Sequence, residues 1–198
     1  MDDDTVRRTA FALLVRDHRP LSVAEVAQAM AERHETAEIV ESVNRLVGEG
    51  LMDRAPTGTV VGAGGLTLGE GPHELLLRGR EYRTWCAYDA IGIAAGLAEP
   101  GSVSTRCAVC QARIAIRLPD AALAQRPERL WLAAGGDDMR ADFCTPTVLL
   151  CSVPHAEAWG ARQGGRGRVL DLGQAWRLGA GAWAGYAREA ERLAPFGP

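Results

Sequence analysis

At 198 residues the chain is long enough for one large domain or two small ones around a buried core. Its formal net charge of −3, with 22 basic residues that are all Arg, argues against a general nucleic-acid binder. No apolar run approaches the roughly 20 residues that a membrane span needs. The start, Met1-Asp2-Asp3-Asp4, is acidic where a signal peptide would be basic, so a cytoplasmic setting is expected. In that reducing compartment the five cysteines are free, catalytic or metal-bound rather than paired as disulfides. The absence of Lys fits the codon usage of a GC-rich genome and carries no functional reading.

Residues 5–18 place Val6, Ala10, Leu13 and Leu14 at helical spacing, and Pro20 closes the segment. Ser22-Val23-Ala24-Glu25 is a capping box opening a helix to about Arg33. Thr36 is the expected cap of a third helix, with Ile39, Val40, Val43, Leu46 and Val47 on its apolar side and Gly48 and Gly50 at its end. Leu51-Met52 and Thr59-Val60-Val61 read as short strands around the turn Pro56-Thr57-Gly58. Three helices and a hairpin outline a winged helix. Its third helix offers Glu38, Glu41, Asn44 and Arg45, and residues 1–80 hold nine Arg against thirteen Asp and Glu. Phosphate neutralisation needs clustered positive charge, so residues 1–80 are expected to be a scaffold that does not bind DNA.

Gly62 to Gly71 is glycine-rich without a Gly-Lys-Ser/Thr phosphate loop and reads as a connector. Residues 82–97 predict a strongly apolar helix, followed by a turn at Pro100-Gly101. Segments 102–106, 113–118, 130–134 and 147–152 read as strands of a mixed or antiparallel sheet. A helix is expected from Pro154 to Gly160, a strand at 169–172 and a closing helix from Ala182 to Leu193. The fold class is therefore α+β. A winged-helix-like region, 1–80, packs on a catalytic sheet domain with flanking helices, 81–198.

The chemistry gathers at three residues. Cys86 and Asp89 lie three apart, which on a helix puts a thiol and a carboxylate on one face. Most free cysteines are small buried hydrophobes, and Cys86 beside Trp85 and Tyr88 would suit that role. A carboxylate inside the same apolar stretch is costly without a partner or a task, so Cys86 and Asp89 read as functional. Cys144, after Asp142-Phe143, lies at the edge of a strand, where reactive groups tend to sit. Two thiolates with an acid between them can grip a thiophilic metal and carry a proton to what that metal holds.

Cys107-Ala108-Val109-Cys110 is a lone C-x-x-C, and a zinc site would want a second pair at suitable spacing. Cys144 and Cys151, separated by six residues, do not form one. Cys107 and Cys110 are thus expected to be structural, and Cys151 a core strand position. His18, His34, His73 and His155 are never spaced i, i+4.

Four blocks carry a family resemblance. Trp85-Cys86-Ala87-Tyr88-Asp89, Ser102-Val103-Ser104-Thr105-Arg106-Cys107, Asp142-Phe143-Cys144 and Ser152-Val153-Pro154-His155-Ala156-Glu157-Ala158-Trp159 stand in order. They resemble, in order and approximate spacing, bacterial organomercurial (alkylmercury) lyases from about residue 80 onward. The resemblance implies protonolysis of a carbon–mercury bond to a hydrocarbon and mercury(II). Cys86 and Cys144 match the mercury-binding thiols, Asp89 matches the proton-handling acid that also contacts the metal, and Cys107 matches a structural cysteine. It implies no required cofactor. It also implies a small organomercurial substrate, low-molecular-weight thiols that remove the product, mercuric reductase as a product acceptor, and no nucleic-acid or membrane partner. Tyr88, Thr145-Pro146, Cys110 and Cys151 depart from the family pattern. Two other readings use the same residues: a mercury or copper binding or sensing protein without catalysis, and a biosynthetic enzyme acting on another carbon–heteroatom bond. A simple chelator does not need the acid at Asp89, and a lyase does.

Overall fold

Asp2 opens the first helix, α1 (Asp3–Asp17), by accepting from the Asp4 N–H at 3.1 Å. The computed structural model describes residues 2–32 and 34–194. Val6, Ala10, Phe11, Leu13 and Leu14 of α1 are buried. The Ser22–Glu25 capping box opens α2 (Val23–Met30) as the sequence implies, while Arg33, the expected helix end, lies outside the described residues. In α3 (Thr36–Gly48) the cap is Glu35 rather than Thr36, and its N–H donates to the Glu38 carboxylate. Ile39, Val43 and Leu46 face the core, whereas Val40 turns outward.

The chain then builds a sheet of β1 (Met52–Arg54), β2 (Val60–Ala63), β3 (Leu66–Thr67), β4 (His73–Leu77), β5 (Arg80–Thr84), β6 (Gly101–Arg106) and β7 (Arg113–Leu118). The spatial order is β1-β2-β3-β5-β4-β6-β7, with every neighbouring pair antiparallel. In β4, His73, Leu75 and Leu77 point inward and Glu74 and Leu76 outward, the alternation of a strand with one covered face. The three helices and the β1–β2 hairpin follow one another as expected, and a bridge from Leu21 to Val60 ties them together. The hairpin is the edge of the seven-stranded sheet, and a boundary between residues 80 and 81 would fall inside β5.

Two expectations are corrected here. Residues 62–71 are not a plain connector, because they hold the tight β2–β3 turn and β3 itself. Residues 82–84 are strand, so the helix α4 (Ala87–Leu97) starts five residues late. Tyr82, Arg83 and Thr84 pair with β4, and Arg83 and Thr84 also pair with β3. Cross-strand pairing on both sides outweighs the helical apolar pattern that follows.

A second antiparallel sheet, in the order β10-β8-β9, contains β8 (Arg129–Ala133), β9 (Val148–Leu150) and β10 (Gly167–Asp171). The helices α5 (Val153–Arg162), α6 (Leu172–Ala182) and α7 (Ala184–Arg192) complete the chain. The sequence reading missed α6, whose start is fixed by an Asp171–Gln174 capping box. The helix α4 lies in the core between the sheets, with Ala90, Ile91, Ile93 and Ala94 fully buried. It touches α6 at Gly92 and Gly179, where a Cβ on Gly179 would strike the Gly92 backbone. Among the described residues no helix is long and apolar enough to cross a membrane.

Candidate active site

Thr84 leaves β5 and its hydroxyl donates to the Cys86 carbonyl at 2.9 Å, turning the chain into α4. Cys86 is therefore the N-cap of α4, not a residue within it. Its sulfur accepts from the Asp89 N–H at 3.4 Å, and the Asp89 carboxylate accepts from the Cys86 N–H at 2.8 Å. This is a capping box made from a thiol and an acid. The expected common helical face becomes a reciprocal clamp, a tighter reason for the two side chains to meet.

Cys144 arrives from the other sheet. It ends a π-helical segment, Met139–Cys144, whose first amides are capped by Asp138. π-Turns are uncommon and often accompany functional sites. Thr147 joins the two halves: its N–H donates to the Cys144 carbonyl, and its own carbonyl accepts from the Ala87 N–H, each at 3.2 Å. The ligand atoms of Cys86, Asp89 and Cys144 all fall within 4.8 Å of one another, and all three residues are buried. The structure thus assembles every residue the sequence had singled out.

Electrostatics in this pocket favours neutral acids. Burial raises the Cys86 thiol well above its ordinary value, helped by a hydrogen bond with Cys144 and by the charges of Asp89 and Cys144. Burial also pushes the Asp89 carboxyl up to about 7, against the Cys86 thiol and amide hydrogen bonds and the more distant charge of Arg140. Desolvation is the larger effect for both groups.

Three further features position the triad, and none was legible as a site residue. Gly65, with φ of +91°, lies against the acid: an added Cβ would come 2.6 Å from Asp89 Oδ1 and 2.8 Å from its Cβ. Only glycine suits both that φ and that approach. The consecutive glycines Gly64-Gly65 carry a hairpin signal, but nothing in the sequence names Asp89 as their neighbour. Arg140 lies over the Trp85 ring at 3.3 Å from its centroid, bonds the Asp53 carboxylate at 2.6 Å and donates to the Gly50 carbonyl. Trp85 itself donates to Asp53 at 2.7 Å, so the residue before Cys86 and the segment bearing Cys144 share one anchor on β1. Tyr88 packs edge-on between Trp183 and Phe143, giving the site an aromatic wall.

A cleft of about 800 Å³ opens beside Cys144 and Trp85, lined also by His73, Arg83, Thr105 and Arg113. That volume suits a small ligand. Cys144 meets the cleft, while Cys86 and Asp89 lie behind it with 0% and 5% exposure. His73 accepts or donates to Thr105 at 2.7 Å, and burial lowers it to about 4, so it is a neutral part of the wall near pH 7. Cys107, Cys110 and Cys151 lie outside this site. Cys110 is exposed, and Cys151 follows β9 half-buried rather than sitting in a strand core.

Comparison with known proteins gives a consistent picture. Residues 66–185 match the family described as "MerB: Alkylmercury lyase". An alkylmercury lyase from Pseudomonas putida is 30% identical over 113 residues, which cover 54% of this chain and 53% of that protein. The chain therefore spans about half the length of that curated relative. The crystal structure of the mercury-bound form of MerB2 has the same fold, with a TM-score of 0.81 at 19% identity, covering 93% of this chain and 91% of that one.

Proposed function

The chain belongs to the alkylmercury lyase family, and from that premise we propose that it cleaves carbon–mercury bonds by protonolysis with Cys86, Asp89 and Cys144. The observation that carries the reading is the buried convergence of two thiols on one acid. Mercury(II) is a soft ion and thiolate the softest protein ligand. Cys144, at the cleft, is the thiol that meets an organomercurial first, its proton leaving with the ligand that its sulfur displaces from mercury. Cys86 gives up its proton to the Asp89 carboxylate as its sulfur binds mercury, a step in which the metal replaces the proton. Two thiolates push electron density on to mercury and its carbon. Asp89 then returns the proton to that carbon, the carbon–mercury bond breaks with its electron pair going to the new C–H bond, and mercury(II) stays on the two sulfurs. The proton that ends on carbon is thus the one Cys86 brought, and the two sulfurs regain protons when small thiols take the mercury away. The elevated Asp89 carboxyl supports this role, since an acid near 7 both holds and yields a proton at neutral pH.

The same reading makes mercury a substrate rather than a resident cofactor, with small thiols drawing off the product in a reducing cytoplasm and mercuric reductase receiving it. Incubation of the purified chain with phenylmercury and excess small thiol tests it. Benzene and inorganic mercury are the expected products. Stoichiometric retention of intact phenylmercury, with no benzene, would instead identify a soft-metal holder.

A further inference from the structure

A second group of thiols lies away from the triad. Cys107 follows β6, Cys110 sits in the turn into β7, Cys151 follows β9, and His155 lies in the first turn of α5. The residues are as much as 48 positions apart in the chain. The Cys110 and Cys151 sulfurs are 3.6 Å apart. His155 Nδ1 lies 3.1 Å from the Cys151 sulfur and 3.5 Å from that of Cys107. All four donor atoms fall within 4.8 Å of one another. All three thiols are free, so no disulfide accounts for the convergence.

These separations fit a tetrahedron around one ion. With zinc–sulfur bonds of about 2.3 Å, a tetrahedral sulfur–sulfur edge is about 3.8 Å, and a sulfur–nitrogen edge is slightly shorter. The donor set, three thiols and an imidazole without a carboxylate, is that of a closed structural zinc site. The local chain is held for this purpose by bonds from the Gln111 N–H to the Cys107 carbonyl and from the Ala108 N–H to the Leu149 carbonyl. In sequence the pattern is C-x2-C followed by C-x3-H, a zinc-ligand spacing.

We propose that Cys107, Cys110, Cys151 and His155 bind one structural zinc ion that clips the β6–β7 hairpin of the first sheet to the β9–α5 junction of the second. Zinc displaces the thiol protons and changes no oxidation state. The clip holds the far end of β9, the strand that follows Thr147 and Cys144, so it steadies the segment next to the second catalytic thiol while leaving the triad free for substrate.

The test is metal analysis, with thiol titration, of the full chain made in zinc-supplemented medium and purified without chelator. One zinc per chain is expected in the wild type and in both Cys86→Ser and Cys144→Ser. Cys110→Ser and His155→Asn should lose it, and Cys110 is exposed, so its replacement leaves the core intact. Cobalt(II) loaded in place of zinc should give the visible absorption of a tetrahedral thiolate site, absent in Cys110→Ser. Strong chelators should lower the thermal midpoint of the wild type and leave that of Cys110→Ser unchanged. Wild-type protein that neither contains nor takes up zinc or cobalt would overturn the proposal. So would zinc that survives in Cys110→Ser and His155→Asn, zinc that disappears with Cys86→Ser, or a Cys110–Cys151 disulfide in metal-free protein from reducing cells.

Discussion

Replacing Asp89 by Asn separates what the acid does for chemistry from what it does to stability. Asn keeps the size of Asp and the carbonyl that accepts from the Cys86 N–H, but it carries no transferable proton. The folded protein holds the carboxyl at about 7, whereas its ordinary value is 3.8. A raised carboxylate value means that the folded state binds the proton more tightly than the unfolded one. The group therefore costs nothing below 3.8. Its cost grows as pH rises from 3.8 to about 7, and it is complete above that, where it reaches about 4 kcal/mol. Most of this cost, about 2–3 kcal/mol, accrues between pH 5 and pH 8.

Urea unfolding of both proteins at those two pH values measures it. Asp89→Asn should gain on the wild type by that margin as the pH is raised. The same preparations should bind mercury(II) through Cys86 and Cys144 yet release hydrocarbon from phenylmercury at least about a hundredfold more slowly. A stability difference that is flat between pH 5 and 8 would refute the claim that desolvation dominates at Asp89. Undiminished hydrocarbon release would remove the acid from the mechanism. Loss of mercury binding in a folded variant would make Asp89 chiefly a ligand.

Cys86→Ser and Cys144→Ser should each abolish turnover, because one thiolate neither activates the carbon nor retains the product; substantial release of benzene by either variant would exclude the two-thiol mechanism. Gly65→Ala adds a methyl group against the Asp89 carboxyl at a φ of +91°. It should cost about 1–3 kcal/mol of stability and, by displacing the acid, on the order of a hundredfold in turnover with mercury(II) binding intact. Calorimetry and benzene release measured together check both effects.

The sequence was most readable where local chemistry decides local structure. Ser22–Glu25 foretold the start of α2, and the alternation in 102–106 and 113–118 foretold β6 and β7. It was least readable where long-range pairing competes with a local pattern. Tyr82-Arg83-Thr84 adjoins an apolar helical run, and only the flanking strands β3 and β4 make it a strand. The helix α6 escaped notice because Gly173, Gly179 and Gly181 weaken its intrinsic signal. Its place depends on close packing, with Gly179 against Gly92, which a sequence read alone does not display.

The two cysteine groups show the same division at the level of sites. Asp89 stood out because a carboxylate in an apolar stretch needs a reason, and Cys144 because it neighbours a strand edge. What the spacing of Cys86 and Asp89 did not convey is that the thiol caps the helix, which makes their contact reciprocal. The C-x-x-C at Cys107 and Cys110 looks solitary in the sequence because its partner pair, Cys151 and His155, begins 41 residues beyond Cys110. Cys144 faces the first cleft at the end of the π-helical segment before β9, and Cys151 joins the other group just past the end of that strand. The extended backbone of β9, at about 3.3 Å per residue, carries those two sulfurs apart along the sheet, so they do not meet at one ion. Strand geometry thus assigns the five thiols to two separate groups, two beside Asp89 and three beside His155. A chain acting on a thiophilic metal needs that separation, because a structural thiol within reach of the substrate would compete for it.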